Sequence, residues 1–179
     1  MKLHNTLFVC ALAITPFAAQ ADEMELPPAA SVEFVDNDGE VVGHASLEQG
    51  TAGVLINLQI TDLPEGWKAI HIHAVGDCDD PEEGFQASGG HLNPDDVKHG
   101  YLNPDGPDAG DLPNFFVNSD GTAKAEMFND RASLDGSVGA EILDDDGAAL
   151  VIHENPDDHA SQPIGGAGDR IACGVVGGG

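Results

Sequence analysis

Alternation of apolar and polar residues is the feature that most restricts the fold of this chain. In residues 54–60, VLINLQI, the apolar side chains at 54, 56, 58 and 60 fall on one face of an extended strand, and the amides at 57 and 59 fall on the other. Short runs at 31–35, 40–47, 114–117, 123–128, 148–153 and 171–176 are separated by turn-forming sequences such as DNDG, EQG and NSDG. Helix signals are weak and no internal repeat is present, so the pattern predicts an antiparallel sandwich or barrel.

Two long segments interrupt this pattern. Residues 76–114 and 154–169 are rich in Gly, Pro and Asp and lack long strand-like runs. Loops of this length inside a compact domain are usually either functional or disordered. The first contains HLNPDDVKHGYLNPDGPDAGDLPN, which begins at His91 and also carries His99. The histidines therefore decide which kind of loop these segments form.

A His-x-His pair lies in the sequence KAIHIHA at residues 68–74. If this segment is a strand, His71 and His73 point to one face and Ile70 and Ile72 point to the other. Two imidazoles on one strand face can converge on one metal ion. The pair alone, however, is equally typical of a solvated strand face.

Further histidines lie in or beside the long segments, namely His91, His99, His153 and His159. We interpret His44 as a surface strand residue, and the polar setting of His159 predicts an exposed side chain rather than a ligand. Imidazole ligands suit copper, zinc, iron or nickel, and four in a flattened arrangement favour Cu(II). Carboxylates nearby favour an additional zinc ion.

The N-terminal sequence MKLHNTLFVCALAITPFAAQA is typical of a secretory signal peptide. Lys2 precedes an apolar run at residues 7–17, and the small-x-small cleavage sequence AQA ends at Ala21. The apolar run is short for a membrane span. We therefore expect cleavage near Ala21, a periplasmic or secreted location, a short flexible lead at residues 22–30 and no membrane insertion. The terminal GGG is expected to be a frayed end.

Export leaves two cysteines, Cys78 and Cys173, and an even pair in an oxidising compartment indicates a disulfide. The formal net charge is -26, from 6 basic and 32 acidic residues. Such a charge opposes binding to nucleic acid or to an anionic membrane, so neither is an expected partner. The length of 179 residues suits one domain.

Six motifs occur in the order HIHAVGDC, GGHLNP, KHG, AGDLPN, VIHENPDD and GGAGDRIACGV. Together they resemble the copper-zinc superoxide dismutase family, specifically its exported bacterial members, over about residues 31–176. The resemblance implies an all-β fold, a Greek-key β-sandwich or flattened barrel of about eight antiparallel strands with two long functional loops. It also implies a domain at residues 31–179 that dismutes superoxide to oxygen and hydrogen peroxide with one copper and one zinc ion per subunit. Exported relatives occur as monomers and as homodimers.

The resemblance also implies a role for each matching residue. The copper ligands would be His71, His73, His91 and His153. His91 would also bridge to zinc, which His99 and Asp111 would hold, and Asp157 would link a copper-ligand histidine to a zinc-ligand histidine. Arg170 and His91 would be catalytic, because the arginine attracts superoxide and the bridging imidazole carries a proton. Cys78 and Cys173 match the family disulfide.

Asp108 departs from the family pattern H-x-G-D, because the sequence here reads DAGD. Aspartate can ligate zinc, although it reaches less far than histidine. Two readings stay open: Asp108 completes the zinc site with His91, His99 and Asp111, or zinc is weakly held or absent. A second departure is electrostatic, because Asp169 directly precedes Arg170 and the stretch DDHASQP holds no lysine. We therefore expect weaker steering of superoxide than in relatives with basic residues around the channel.

Two other classes of protein share parts of this pattern. A non-catalytic copper-binding or copper-delivery sandwich would keep the ligands without turnover, and the presence of Arg170 argues against it. A zinc hydrolase would need an open zinc site and a general base, and the four-histidine set fits that poorly.

Overall fold

The computed structural model describes residues 29–178. Their strands are β1 (Ala29–Asp36), β2 (Val41–Gly50), β3 (Gly53–Ile60), β4 (Gly66–Lys68), β5 (Ile70–His73), β6 (Phe115–Val117), β7 (Ala123–Asn129), β8 (Ala132–Ser133), β9 (Ala140–Glu141), β10 (Ala149–His153), β11 (Arg170–Val175) and β12 (Gly177–Gly178). Pro81–Glu83 and Gln86–Ser88 form short 3-10 helices. The predicted signal peptide and most of the predicted lead lie outside the described residues. Within residues 29–178, no helix is long and apolar enough to cross a membrane.

The structure confirms the predicted all-β fold. Seven strands are hydrogen-bonded in the order β5-β10-β11-β1-β2-β3-β7, with every neighbouring pair antiparallel, and β12 pairs with β1 to complete an eight-stranded sheet. The sheet is curled, because residues from its two ends, such as Ile72 of β5 and Met127 of β7, belong to one buried cluster. The pairing of β1 with β11 and of β3 with β7 requires long crossovers between strands distant in sequence.

The alternation in β3 places its apolar face in this core. Val54, Ile56, Leu58 and Ile60 are each no more than 2% exposed, whereas Gln59 is exposed. Fully burying such a side chain contributes about 1.5–3 kcal/mol. Because a one-residue slip would turn this face to solvent, the pattern sets the register with β2 and β7 on either side.

The predicted element boundaries differ from the structure at both ends. Gly177 and Gly178, expected in a frayed end, pair with Ser31 and Ala30 of β1. Ala29 and Ala30 were expected in the flexible lead, but they pair with Glu48 and Leu47 of β2. Backbone hydrogen bonds form these pairings. Glycine and alanine make such bonds without producing the alternation of large apolar and polar side chains that identifies a strand in the sequence. The short pairs β4–β6 and β8–β9 were also not predicted.

Two long connections run beside the β5 end of the sheet, confirming the predicted loops. Loop 74–114 joins β5 to β6, and loop 154–169 joins β10 to β11. Loop 74–114 hydrogen-bonds to β5, because the Ile72 N–H donates to the Gly110 carbonyl at 2.9 Å and the Leu92 N–H donates to the Ile72 carbonyl at 2.8 Å. The loop thus covers the edge of the sheet that carries the His-x-His pair.

Candidate metal centre

Three parts of the chain bring histidine and aspartate side chains together at this edge. β5 provides His71 and His73, and its neighbour β10 provides His153. Loop 74–114 adds four further side chains of ligand type: His91, His99, Asp108 and Asp111. His91 is half-buried, and the other six are at most 3% exposed. The predicted alternation in β5 is confirmed, since its two isoleucines lie in the core.

Backbone bridges to β5 position two of the loop residues. His71 is paired with Asp111 and His73 with His91 as isolated antiparallel bridges. Gly110 permits this approach, because a Cβ atom there would lie 2.3 Å from the Ile72 carbonyl oxygen. Strand geometry therefore places both loop residues beside the His-x-His pair.

The first cluster consists of His71, His73 and His153, whose ligand atoms all lie within 4.8 Å of one another. The His91 ring lies beside them, with its centroid 4.1 Å from that of His71 and 5.5 Å from that of His73. In each ring one buried nitrogen lacks a hydrogen-bond partner: Nδ1 of His71 and Nε2 of His73, His91 and His153. Leaving a buried polar atom unpaired costs about 1–3 kcal/mol. Four such atoms in one place fit a shared metal ion.

The second nitrogen of three of these rings has a partner that selects the tautomer. His73 Nδ1 lies 3.0 Å from the Gly89 carbonyl oxygen, and His153 Nδ1 lies 3.1 Å from that of Gly168. His71 Nε2 lies 3.1 Å from Asp157 Oδ2. Since these oxygens only accept, the N–H must be on the paired nitrogen, and the lone pair of a neutral ring is then on the unpaired one.

The cluster also keeps these imidazoles neutral. Burial lowers the pKa of His71 to about 4 and the pKa of His153 to about 3. Burial, followed by the charges of His91 and Arg170, lowers the pKa of His73 well below its usual value. At pH 7 all three rings are therefore uncharged, which is the form that ligates metals.

The second cluster contains His91, His99, Asp108 and Asp111, with ligand atoms within 4.8 Å of one another. His91 Nδ1 lies 3.0 Å from Asp108 Oδ2 and 3.7 Å from Asp111 Oδ1. His99 Nδ1 lies 2.5 Å from Asp111 Oδ1, but neither of these atoms makes a hydrogen bond of good geometry. His91 belongs to both clusters, because its Nδ1 faces these carboxylates and its Nε2 is left for the first cluster.

Asp108 is drawn into the second cluster rather than turned to solvent. Its side chain is 3% exposed. Its Oδ1 accepts a hydrogen bond from the Gly110 N–H at 3.0 Å, and its own N–H donates to Asp111 Oδ2 at 3.0 Å. These two bonds leave Oδ2 facing His91. The arrangement favours the reading in which Asp108 acts as a ligand.

Asp157 contacts one histidine from each cluster. Its Oδ2 lies 3.1 Å from His71 Nε2, and its Oδ1 lies 3.1 Å from His99 Nε2. Gly165, at φ +61°, makes room for this carboxylate, because a Cβ atom there would lie 1.6 Å from Asp157 Oδ1. Burial alone raises the pKa of Asp157, but the hydrogen bonds from His71 and His99 outweigh burial and hold it well below its usual range. The carboxylate is therefore ionised and can orient both rings.

The same carboxylates act on the charge of His99. Burial alone lowers its pKa, but Asp111 and Asp157 together raise the pKa of His99 to about 10. In the metal-free protein the His99 ring is therefore protonated on both nitrogens and positively charged at pH 7. Metal binding at the second cluster would require His99 to lose this proton.

Arg170, the first residue of β11, lies between two cavities of about 350 and 550 Å³. The smaller cavity is also lined by His73, His91 and His99, and the larger one by His153. Both clusters thus border a cavity beside the guanidinium. A cavity of about 700 Å³ elsewhere is lined by exposed acidic side chains and no histidine, and we do not assign it to this site.

Charged residues of both signs line these two cavities. Glu82, Glu83 and Asp169 line the larger one, in agreement with the acidic setting expected for Arg170. The exposed Lys98 lines the smaller one. Sequence reasoning did not single out Lys98, although its position directly before His99 was an available signal.

Ser88 is a second residue that sequence reasoning missed. It is a lone serine in a glycine-rich run, and nothing in its local sequence distinguishes it. In the structure its hydroxyl lies within hydrogen-bonding distance of both His73 and Arg170.

Cys78 and Cys173 form the predicted disulfide, with their Cα atoms 5.8 Å apart. The bond joins loop 74–114 to β11 across a sequence separation of 95 residues. Cys173 is fully buried, and it packs with Phe85 in a small apolar cluster that also contacts Cys78.

The two remaining histidines of the described chain have different surroundings. His44 is exposed on β2, 3.9 Å from Glu33, which confirms the surface prediction. His159 is more buried than predicted, with 21% of its side chain exposed and its Nδ1 3.3 Å from Asp157 Oδ2. Contact with a carboxylate that sequence spacing alone did not reveal explains the difference. Within residues 29–178, no group of candidate metal-ligand atoms includes His159.

Comparison with known protein families identifies the family of this chain. The family model described as copper/zinc superoxide dismutase matches residues 41–176. The chain belongs to this family. The resemblance inferred from the six motifs is thereby confirmed.

Several copper/zinc superoxide dismutases are similar to this chain over most of its length. The protein named superoxide dismutase [Cu-Zn] 1 of Aquifex aeolicus is 44% identical over 145 residues, which cover 80% of this chain and 85% of the relative. The superoxide dismutase [Cu-Zn] of Caulobacter vibrioides is 43% identical over 141 residues, covering 78% and 80%. Among solved structures, a superoxide dismutase-like protein from Bacillus subtilis superposes with a TM-score of 0.76 at 36% identity, covering 82% of this chain and 97% of that one.

Proposed function

We propose that this protein dismutes superoxide to oxygen and hydrogen peroxide, with copper and zinc as its metals. The observation that carries the proposal is the set of four buried imidazole nitrogens without hydrogen-bond partners, next to the cavities that Arg170 lines. Family membership supports the same activity, because the relatives in A. aeolicus and C. vibrioides are named copper/zinc superoxide dismutases.

We assign copper to the first cluster, with His71, His73, His91 and His153 as its ligands. Imidazoles are well suited to copper, and in this cluster no carboxylate competes for the four unpaired nitrogens. Bound copper supplies one-electron oxidation and reduction. The protein contributes neutral rings in fixed tautomers, so that metal binding requires no deprotonation of His71, His73 or His153.

We assign zinc to the second cluster, with His91, His99, Asp108 and Asp111 as its ligands. Histidine nitrogen and aspartate oxygen are both ordinary zinc ligands, and four protein ligands are the usual number for structural zinc. The buried Nδ1 of His99 and Oδ1 of Asp111, which face each other without a hydrogen bond of good geometry, support this assignment. The two carboxylates together match the charge of a divalent cation.

Arg170 and His91 are the proposed catalytic residues. Arg170 keeps its positive charge at any working pH, so it attracts the superoxide anion into the two cavities that it lines. Hydrogen peroxide forms from superoxide only when two protons are added. His91 Nε2 faces the first cluster. When this nitrogen is not bound to copper, it can hold one of these protons and transfer it to the reduced substrate.

Metal content and superoxide-dependent activity, measured on the same sample, test this proposal. We expect one copper and one zinc ion per chain together with dismutation. Copper without activity would indicate a non-catalytic copper-binding protein, and zinc alone would indicate a hydrolase; either result would overturn the proposal. A zinc hydrolase needs a coordination position that is open to water. The four proposed zinc ligands would leave no such position, which supports dismutation over hydrolysis.

We also propose that residues 1–21 are a signal peptide and that the mature protein acts in the periplasm or outside the cell. The Cys78–Cys173 bond supports export, because disulfides persist in oxidising compartments. The first strand of the described residues, β1, begins at Ala29. Intact mass of the exported protein tests the cleavage position, and sedimentation distinguishes a monomer from a homodimer.

Asp157→Asn is expected to weaken metal binding at both clusters by about 10–100-fold, the usual cost of removing an outer-shell partner. The amide group would place an N–H against one of the two histidine N–H groups that now donate to the carboxylate. Competition with a chelator measures the affinity. The matched control is Asp158→Asn, since Asp158 is exposed and bonds only within its own loop. Equal losses in the two variants would contradict the linking role.

The rate constant kcat/KM is expected to fall less with added salt than in relatives with a basic channel, or to rise. Glu82, Glu83 and Asp169 repel superoxide near Arg170, and salt screens this repulsion as well as the attraction. The Debye length shrinks from about 30 Å at 0.01 M salt to about 8 Å at 0.15 M, so this range is the informative one. Lys98→Gln should lower kcat/KM at low salt, and Glu83→Gln should raise it. A steep fall with salt in the wild-type protein would contradict weak steering.

A further inference from the structure

Ser88 ends the short 3-10 helix Gln86–Ser88 and is fully buried. Its hydroxyl oxygen lies 2.8 Å from the Phe85 carbonyl oxygen, 3.1 Å from Arg170 Nη1 and 3.2 Å from His73 Nδ1. The Ser88 side chain therefore contacts both His73, a proposed copper ligand, and Arg170, which is proposed to attract the superoxide anion.

These three contacts use the full hydrogen-bonding capacity of a hydroxyl group. A carbonyl oxygen can only accept, so the Ser88 O–H donates to Phe85. A guanidinium can only donate, so Arg170 Nη1 donates to one Ser88 lone pair. The second lone pair is then available to the His73 Nδ1–H, which it shares with the Gly89 carbonyl at 3.0 Å. The directions of all three bonds are thus determined by the partners.

The backbone around Ser88 holds the same two residues. The Phe85 carbonyl also accepts from Arg170 Nη1, at 2.5 Å, and the Gly89 carbonyl accepts from Arg170 Nη2 at 2.8 Å. Phe85 has φ +55°, which is unusual for a bulky residue; such a conformation costs about 1–3 kcal/mol and persists only where the surroundings enforce it. Its fully buried ring packs in the small apolar cluster with Cys173, which provides that constraint.

We propose that Ser88 is a positioning residue that couples the orientation of the Arg170 guanidinium to that of the His73 ring. This inference rests on the proposed function, since it gives Arg170 the role of binding the anion and His73 the role of a ligand. The hydroxyl is the side-chain acceptor that the two residues share, beside the Gly89 carbonyl, so displacement of one changes the hydrogen bonding of the other. Arg170 Nε and the remaining N–H of Nη2 make no hydrogen bond within residues 29–178, and these groups are left for an incoming anion.

Ser88→Ala is expected to raise the dissociation constant of a small anion such as azide by about tenfold in the copper-loaded protein, the lower end of the range for a hydrogen bond to a charged group. KM for superoxide should rise more than kcat falls, because Arg170 attracts the anion. Ser88→Thr, which keeps the hydroxyl, should restore anion binding. In an Arg170→Ala background, Ser88→Ala should have no further effect on anion binding, because its effect passes through Arg170.

A second readout uses the metal-free protein and does not depend on turnover. In ¹H–¹⁵N spectra, the His73 Nδ1–H resonance should shift in Ser88→Ala and also in Arg170→Lys, which alters the link from its other end. Ser133→Ala is the matched control, because Ser133 is also fully buried and its hydroxyl accepts from the Val138 N–H in the connection between β8 and β9, away from His73 and Arg170. It should leave both the His73 resonance and azide affinity unchanged.

The outcomes separate this inference from the proposed function. If the wild-type protein holds no copper or does not dismute superoxide, the proposed function fails whatever Ser88 does. If the wild type is active but Ser88→Ala binds azide as Ser133→Ala does, and the His73 resonance does not move, Ser88 is only a packing residue and the inference is overturned. Should Ser88→Ala not fold, Arg170→Lys still tests the link, because an unshifted His73 resonance there would equally overturn the inference.

Discussion

Asp108→Asn is expected to weaken zinc binding by more than about 100-fold, beyond the loss typical of an outer-shell partner. Asparagine keeps the oxygen that accepts from the Gly110 N–H, so the local loop is preserved. It replaces Oδ2, which lies 3.0 Å from His91 Nδ1, with an amide nitrogen that has no lone pair for a metal. Zinc affinity is measured by competition with a chelator on metal-free protein, and copper binding should change much less.

The matched control for this prediction is Asp105→Asn, which removes a charge from the same loop at an exposed position outside the cluster. Asp108→His tests the ligand from the other side. X-ray absorption should show two imidazoles and two carboxylates around zinc in the wild type, and three imidazoles and one carboxylate in Asp108→His. Equal zinc affinity in the wild type and in Asp108→Asn would show that Asp108 is not a ligand. Weak or absent zinc binding in both proteins would favour the reading in which zinc is weakly held or absent.

Replacing both Cys78 and Cys173 by serine is expected to lower the free energy of unfolding of the metal-free protein by about 4–5 kcal/mol. The bond closes a loop across a sequence separation of 95 residues, and a cross-link of that size strongly restricts the unfolded chain. This is a large part of the 5–15 kcal/mol that stabilises a typical domain. Denaturant unfolding of the variant and of the oxidised wild-type protein measures the difference.

Reduction provides the control for the disulfide. A thiol reductant should destabilise the wild-type protein by a similar amount and leave the double serine variant unchanged. We also expect weaker anion binding in the variant, because the bond anchors the segment whose Phe85 and Gly89 carbonyls hold Arg170. A loss of stability below about 1 kcal/mol would show that the bond does not constrain the unfolded chain as the chain-entropy model requires.

Much of the fold could be predicted because its signals are local. The alternation in β3 depends only on the identity of neighbouring residues, and it predicted both the strand and its buried face. The same holds for β5, where alternation separated the two histidines from the two isoleucines. The pairing of Gly177 and Gly178 with β1 could not be predicted, because glycine carries no side-chain pattern and the partner strand lies at the other end of the domain.

The candidate site divides in the same way. Side-chain chemistry and motif order in the sequence were sufficient to select the candidate ligands, Arg170 and the cysteine pair, and the structure brings the seven histidines and aspartates of the two clusters together. Sequence could not show whether Asp108 turns toward His91 or toward solvent, because that depends on hydrogen bonds formed only in the folded loop.

By itself, then, the sequence determined the all-β architecture, the two long loops and the residue types available for metal binding, because periodicity and motif spacing are properties of the linear chain. Only the tertiary structure decided that His91 faces both clusters, that Lys98 lines the smaller cavity beside Arg170 and that Ser88 joins His73 to Arg170. The physical reason is distance along the chain: Ser88 and Arg170 are separated by 82 positions, and no local pattern records a contact that forms when β11 folds back beside loop 74–114.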